Sequence, residues 1–79
     1  MARVRFFAAA EEFAGTAEQH RDEATLGALR AALASEHPRL GSILPRCAVL
    51  VDGARTDDTH ALTPHSLVDV LPPLSLIHI

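Results

Sequence analysis

Polar and apolar residues alternate along residues 2–8: Val4, Phe6 and Ala8 fall on one side, Arg3, Arg5 and Phe7 on the other. A period of two predicts a strand with one buried face, and it leaves Phe7 on the face turned to water. The AAEEFA run over 9–14 consists of good helix formers and stops at Gly15, which predicts one or two helical turns with a glycine terminator. Residues 17–23 are polar and weakly patterned. Their place after the short helix predicts an edge strand, where charge discourages edge-to-edge association. Thr25 is a good N-cap. Behind it Leu26, Leu29 and Leu33 recur on one face at helical spacing, with Arg30 and Glu36 turned away. Pro38 is expected to end that helix, because proline restricts the residue before it and has no N–H to donate.

Leu40, Ile43 and Leu44, between Gly41 and Pro45, predict a connection over 39–46 pinned to the core by aliphatic side chains. Cys47–Val51 reads as a β-branched apolar strand. Asp52-Gly53 is a tight-turn signal, and residues 54–56 pair back briefly. Residues 57–65 form a polar loop that tucks Leu62 inward. Ser66–Leu71 is the final strand, with Val68 and Val70 on one face and Leu67, Asp69 and Leu71 on the other. Pro72-Pro73 stops it, since proline supplies no ladder hydrogen bond. This order suits an α+β domain, a mixed sheet wrapped around one main helix, with the first and last strands parallel in its centre.

Composition narrows the function. A chain of 79 residues makes one domain, too small to enclose a deep active-site pocket with ease. That argues against a self-sufficient enzyme. The net charge of −3 leaves no basic patch for phosphates, so no nucleic-acid partner is expected. No apolar run is long enough to span a bilayer, and no membrane role is expected. Nothing at the N-terminus looks like a signal peptide. Cys47 is the only cysteine, which fits a reducing, cytoplasmic setting.

Catalytic and metal constellations are missing. His20, His37, His60, His65 and His78 are scattered, without helix-facing metal spacing or a cysteine cluster. Cys47, at the head of an apolar strand, reads as an inert buried thiol ahead of a nucleophile. Glu11-Glu12 and Asp57-Asp58 are adjacent pairs that point apart or into solvent, so they make no acid–base dyad.

Val4-Arg5-Phe6-Phe7-Ala8, Glu12 and Gly15, Leu26, Leu29 and Leu33, Val51-Asp52-Gly53 and Val68-Asp69-Val70-Leu71-Pro72-Pro73, in this order, resemble the MoaD/ThiS family of sulfur carriers. The resemblance covers residues 2–73 and leans to the small subunit of molybdopterin synthase through the Phe-Phe-Ala opening and Leu-Pro-Pro ending. It implies a β-grasp (ubiquitin-like) fold and a non-catalytic carrier of molybdenum cofactor synthesis with no bound cofactor. The implied partners are an adenylating activating enzyme, which uses ATP, and the large subunit of molybdopterin synthase. Service to thiamine or cysteine synthesis, or a β-grasp interaction module without acyl chemistry, are the alternatives. Glu11 stands where the family often has arginine, and Thr63-Pro64-His65-Ser66 replaces its usual Gly-Asp turn. No catalytic residue is expected. Phe7, Leu67, Leu71, Pro72 and Pro73 are the expected partner-binding residues. Phe7 serves as an exposed docking ring, against the alternative that its own chain half covers it. The prolines would stiffen the base of the tail.

Such carriers end in Gly-Gly, which lets a slim terminus enter a narrow channel and become a thiocarboxylate. This sequence reads Leu74-Ser75-Leu76-Ile77-His78-Ile79 instead and is inactive as written on that expectation. The codons CTG TCT CTT ATA CAC ATC encode that hexapeptide and match a transposon end used to tag sequencing libraries. Residues 74–79 are therefore expected to be a non-native tail after a domain spanning 1–73, from adapter read-through. A genuine divergent tail is the alternative.

Overall fold

In the computed structural model, which describes residues 1–73, a five-stranded sheet packs one face against helices. The expected non-native segment 74–79 lies outside the described residues. The elements are β1 (Ala2–Phe6), α1 (Ala9–Ala14), β2 (Glu18–Arg21), α2 (Leu26–Glu36), α3 (Pro38–Ile43), a 3₁₀ turn (Leu44–Arg46), β3 (Ala48–Val51), β4 (Ala54–Arg55) and β5 (Leu67–Leu71). The sheet order is β2-β1-β5-β3-β4. β1 and β5 run parallel, with Val4 opposite Val68 and Phe6 opposite Val70, and the other pairs are antiparallel. This is the expected β-grasp arrangement.

The alternation in the strands decides which face is covered. Val4, Phe6, Val49, Val51, Val68 and Val70 meet Leu26, Leu29 and Leu33 of α2, joined by Leu40, Ile43 and Leu44, all buried in one cluster. Each such side chain stabilises the fold by roughly 1.5–3 kcal/mol through area removed from water. Thr25 caps α2 as expected: its Oγ1 accepts the Ala28 N–H at 3.2 Å. Across the domain, Arg21 of β2 donates to Glu36 of α2 at 2.6 and 2.8 Å and to Glu23 at 2.9 Å.

Three expectations need correction. Residues 38–46 form α3 and a 3₁₀ turn rather than an irregular connection. Pro38 does stop α2, because the residue before it, His37, leaves the helical region at φ -133 and ψ 86. But proline's fixed φ and missing N–H also suit the first position of a helix, and there it starts α3. Ala8 does not continue the inward side of β1; the strand ends at Phe6, and Ala8 turns the chain with φ 51 and is exposed. β3 and β5 begin one residue later than expected, at Ala48 and Leu67.

Two turns set the start of β5. Asp52 and Gly53 have φ 51 and 82, the double positive φ of a tight hairpin turn. Asp52 also exchanges bonds with Leu67: its N–H donates to the Leu67 carbonyl at 2.7 Å, and its Oδ1 accepts the Leu67 N–H at 3.0 Å. The Thr63–Ser66 segment closes on itself, with the Thr63 N–H donating to Ser66 Oγ at 2.9 Å and the Ser66 N–H to the Thr63 carbonyl at 3.0 Å. Hydroxyls here do the work that a glycine turn would do elsewhere.

Candidate docking face and tail base

Strand pleating turns Arg3 and Arg5 of β1, Leu67, Asp69 and Leu71 of β5, and Ala48 and Leu50 of β3 to the sheet face opposite α2. At its centre Arg5 stands opposite Asp69. The Arg5 Nε and Nη2 donate to the Asp69 Oδ1 and Oδ2 at 2.7 and 2.8 Å, a two-pronged fit of planar guanidinium to carboxylate. The hydrogen bond to Asp69 holds the Arg5 pKa above its already high value, so this group stays cationic. Each charge already has its partner. A second protein can cover the pair without leaving a lone charge dry, the costly case in burial.

Phe7 lies one residue past β1. Its N–H donates to the Val70 carbonyl at 3.2 Å, and the Arg5 guanidinium sits 5.5 Å from its ring centroid. The ring residue is 37% exposed, so the chain covers much of it and leaves a minority of its area open. The ring is thus partly covered by its own chain, and part of it stays open. Leu67, Leu71, Pro72 and Pro73 are half-buried.

The parallel β1–β5 pair decides which of these residues meet. With Phe6 opposite Val70, β5 leaves the sheet at the end where Phe7 lies. Phe7, Leu71, Pro72 and Pro73 therefore share one end, which is the base of the C-terminal segment. Leu67 does not join them. It pairs with Arg3 at the other end of β5, four residues and roughly 13 Å from Leu71 at ~3.3 Å per residue. Ala48 and Leu50, half-buried beside Leu71 and Asp69, extend the apolar strip. The alternation of Val49 and Val51 inward was the signal that could have found them.

Other candidates stay outside this face. Cys47 is buried, its thiol donates to the Ile43 carbonyl at 3.3 Å, and burial pushes its pKa up, opposite to what a nucleophile needs. Among the described residues no three His, Cys, Asp or Glu side chains gather to hold a metal. No helix of the described residues is long and apolar enough to cross a membrane.

Residues 4–75 match the sequence profile of the ThiS family. The chain belongs to the ThiS family. Its members are small ubiquitin-like carriers or modifiers, and solved structures agree on the fold. SAMP1 of Haloferax volcanii superposes with a TM-score of 0.81 at 26% identity, over 94% of this chain and 96% of that one. A Pyrococcus furiosus protein put forward as molybdopterin converting factor subunit 1 gives 0.83 at 19% identity, over 92% and 97%. The HVO 2177 protein of Haloferax volcanii gives 0.75 at 29% identity, over 92% and 82%. No curated protein matches the chain in sequence.

Proposed function

We propose that this ThiS-family domain carries sulfur for molybdopterin synthesis as a C-terminal thiocarboxylate. Membership of the family carries the reading. The position of Phe7, Leu71, Pro72 and Pro73 at the tail base supports it, since a partner gripping that end would also hold the emerging tail. The domain is the handle, and the partners are an adenylating enzyme that spends ATP and a synthase large subunit in the cytoplasm. The domain itself binds no cofactor. Residues 74–79 stand in for the native Gly-Gly, and the source organism's DNA after the codon for Pro73 tests that directly: the same hexapeptide there overturns it.

The likeness to SAMP1, a protein named as a modifier, favours a second use of the same activated end: transfer to another protein. One reaction separates the two. The chain is rebuilt with Gly-Gly after Pro73 and mixed with an adenylating enzyme, ATP and a sulfur donor, and its intact mass is read. Exchange of one oxygen for sulfur supports the carrier. A covalent adduct with a second protein supports the modifier. An unchanged mass with several activating enzymes sinks both.

A further inference from the structure

A cleft of about 230 Å³ opens between α2, the 3₁₀ turn and the β3–β4 edge. Arg30, Pro45, Arg46, Cys47, Val49, Arg55 and Thr56 line it. The chain is acidic overall, yet three of its seven cationic side chains meet here. One carboxylate stands against them: Asp58 Oδ1 lies 2.9 Å from Arg30 Nε. That contact has the distance of an ion pair but not the direction of a hydrogen bond, because Arg30 Nε is without a hydrogen-bond partner. Arg46 and Arg55 make no ion pair among the described residues.

A second observation points the same way. Among the described residues two buried side-chain polar atoms lack a hydrogen-bond partner, Arg30 Nε and Thr56 Oγ1. Both belong to residues of this cleft. Arg30 Nε already has the Asp58 carboxylate beside it, so Thr56 Oγ1 is the orphan of the cleft; buried polar atoms are ordinarily paired, and this one stands among guanidiniums of which two make no ion pair among the described residues.

We propose that this cleft is an oxyanion site that takes the phosphate or diphosphate group of a small ligand. Guanidinium forks match phosphate oxygens, and a tetrahedral anion accepts from several directions at once, as three arginines from three elements require. A carboxylate offers acceptors in one plane only. The volume falls below the ~300–1,000 Å³ of pockets that swallow a drug-sized ligand, so the cleft seats a phosphate head and leaves any nucleoside outside.

The test is a nitrogen-15 NMR titration of the whole chain at low ionic strength. It follows the side-chain Nε–H signals of Arg30, Arg46 and Arg55 and the amide of Thr56. Inorganic phosphate, diphosphate, ATP and sodium chloride are added in separate arms at matched ionic strength. Saturable shifts with phosphate or diphosphate are expected, with ATP no tighter than diphosphate. Arg46→Gln and Arg55→Gln, at exposed positions, should each weaken diphosphate binding about tenfold, or about 1.4 kcal/mol, while the remaining signals stay in place. Non-saturable shifts that chloride reproduces would mean the cleft holds water alone and would overturn the site. Saturable binding that both substitutions leave untouched would also overturn it, by locating the anion elsewhere. ATP binding well above diphosphate would overturn the assignment to a bare phosphate head.

Discussion

Gly41 sits inside α3 where that helix crosses α2. A Cβ added there would lie 2.9 Å from the Cβ of Ala34, 3.0 Å from its Cα and 3.3 Å from its carbonyl oxygen. Alanine is the better helix former by about 0.8–1.0 kcal/mol, so propensity alone predicts that Gly41→Ala stabilises. Packing predicts the opposite. The obstructing atoms are largely backbone and cannot rotate away, and forcing a methyl into such a contact costs typically about 1–3 kcal/mol. The packing effect should win by about 1 kcal/mol, which lowers Tm by roughly 4–8 °C in a domain of this size. Thermal unfolding followed by circular dichroism measures it. Ala34→Gly supplies the control. It costs about 1 kcal/mol alone, and in the double variant the 2.9 Å contact with the Ala34 Cβ is gone while those with its Cα and carbonyl oxygen remain, so the rescue is partial. The pair should be less destabilised than the sum of the singles by more than the ~0.3–0.5 kcal/mol scatter of independent sites. A higher Tm for Gly41→Ala, or additive singles, would refute this close approach of α2 and α3.

Three further outcomes follow from the structure. Phe7→Ala and Leu71→Ala, made in the Gly-Gly chain, should each weaken the activating enzyme's grip about tenfold while circular dichroism shows the fold retained; unchanged affinity in both would remove the tail base as the docking point. Hydrogen bonds from Arg21 hold the Glu23 and Glu36 pKa values below the usual carboxylate range. Their stabilisation is therefore complete above the unfolded pKa of about 4.3 and fades as pH falls through the lower folded values. The Tm gap between the parent chain and Arg21→Gln should be widest near neutrality and shrink below about pH 4, and a gap constant with pH would contradict the linkage. Cys47, buried with its pKa raised, should react with a thiol reagent at pH 8 far more slowly in the folded chain than in urea, and equal rates would show that the thiol is open.

Local patterns carried most of the fold. The parity of Val4 and Phe6, the stop at Gly15, the Thr25 cap before three leucines and the Asp52-Gly53 turn each act within a few residues, and each is met in the structure. α3 was missed because Pro38 sends one signal with two meanings, end of one helix and start of the next. Leu40, Ile43 and Leu44 were rightly placed in the core, but their spacing is too short to specify an element. The candidate site divides the same way. Phe7 was legible from strand parity alone. The Arg5–Asp69 pair was not, because the partners lie 64 positions apart and meet only through the parallel register of β1 and β5. Nor was the arginine cleft, whose three cations come from three segments that tertiary packing brings together.

β5 is the last of the described elements in sequence and the middle strand in space. A chain emerging from the ribosome can form the β1–β2 hairpin and the α2–α3 corner, yet its two half-sheets have nothing between them until Leu67–Leu71 arrives. Closing the sheet joins strands more than sixty residues apart, a slow, late event for so small a chain. An unfinished copy that stops before β5 exposes both inner strand edges and stays open to proteases. Synthesis itself thus acts as a checkpoint: only copies translated through β5 acquire the closed sheet.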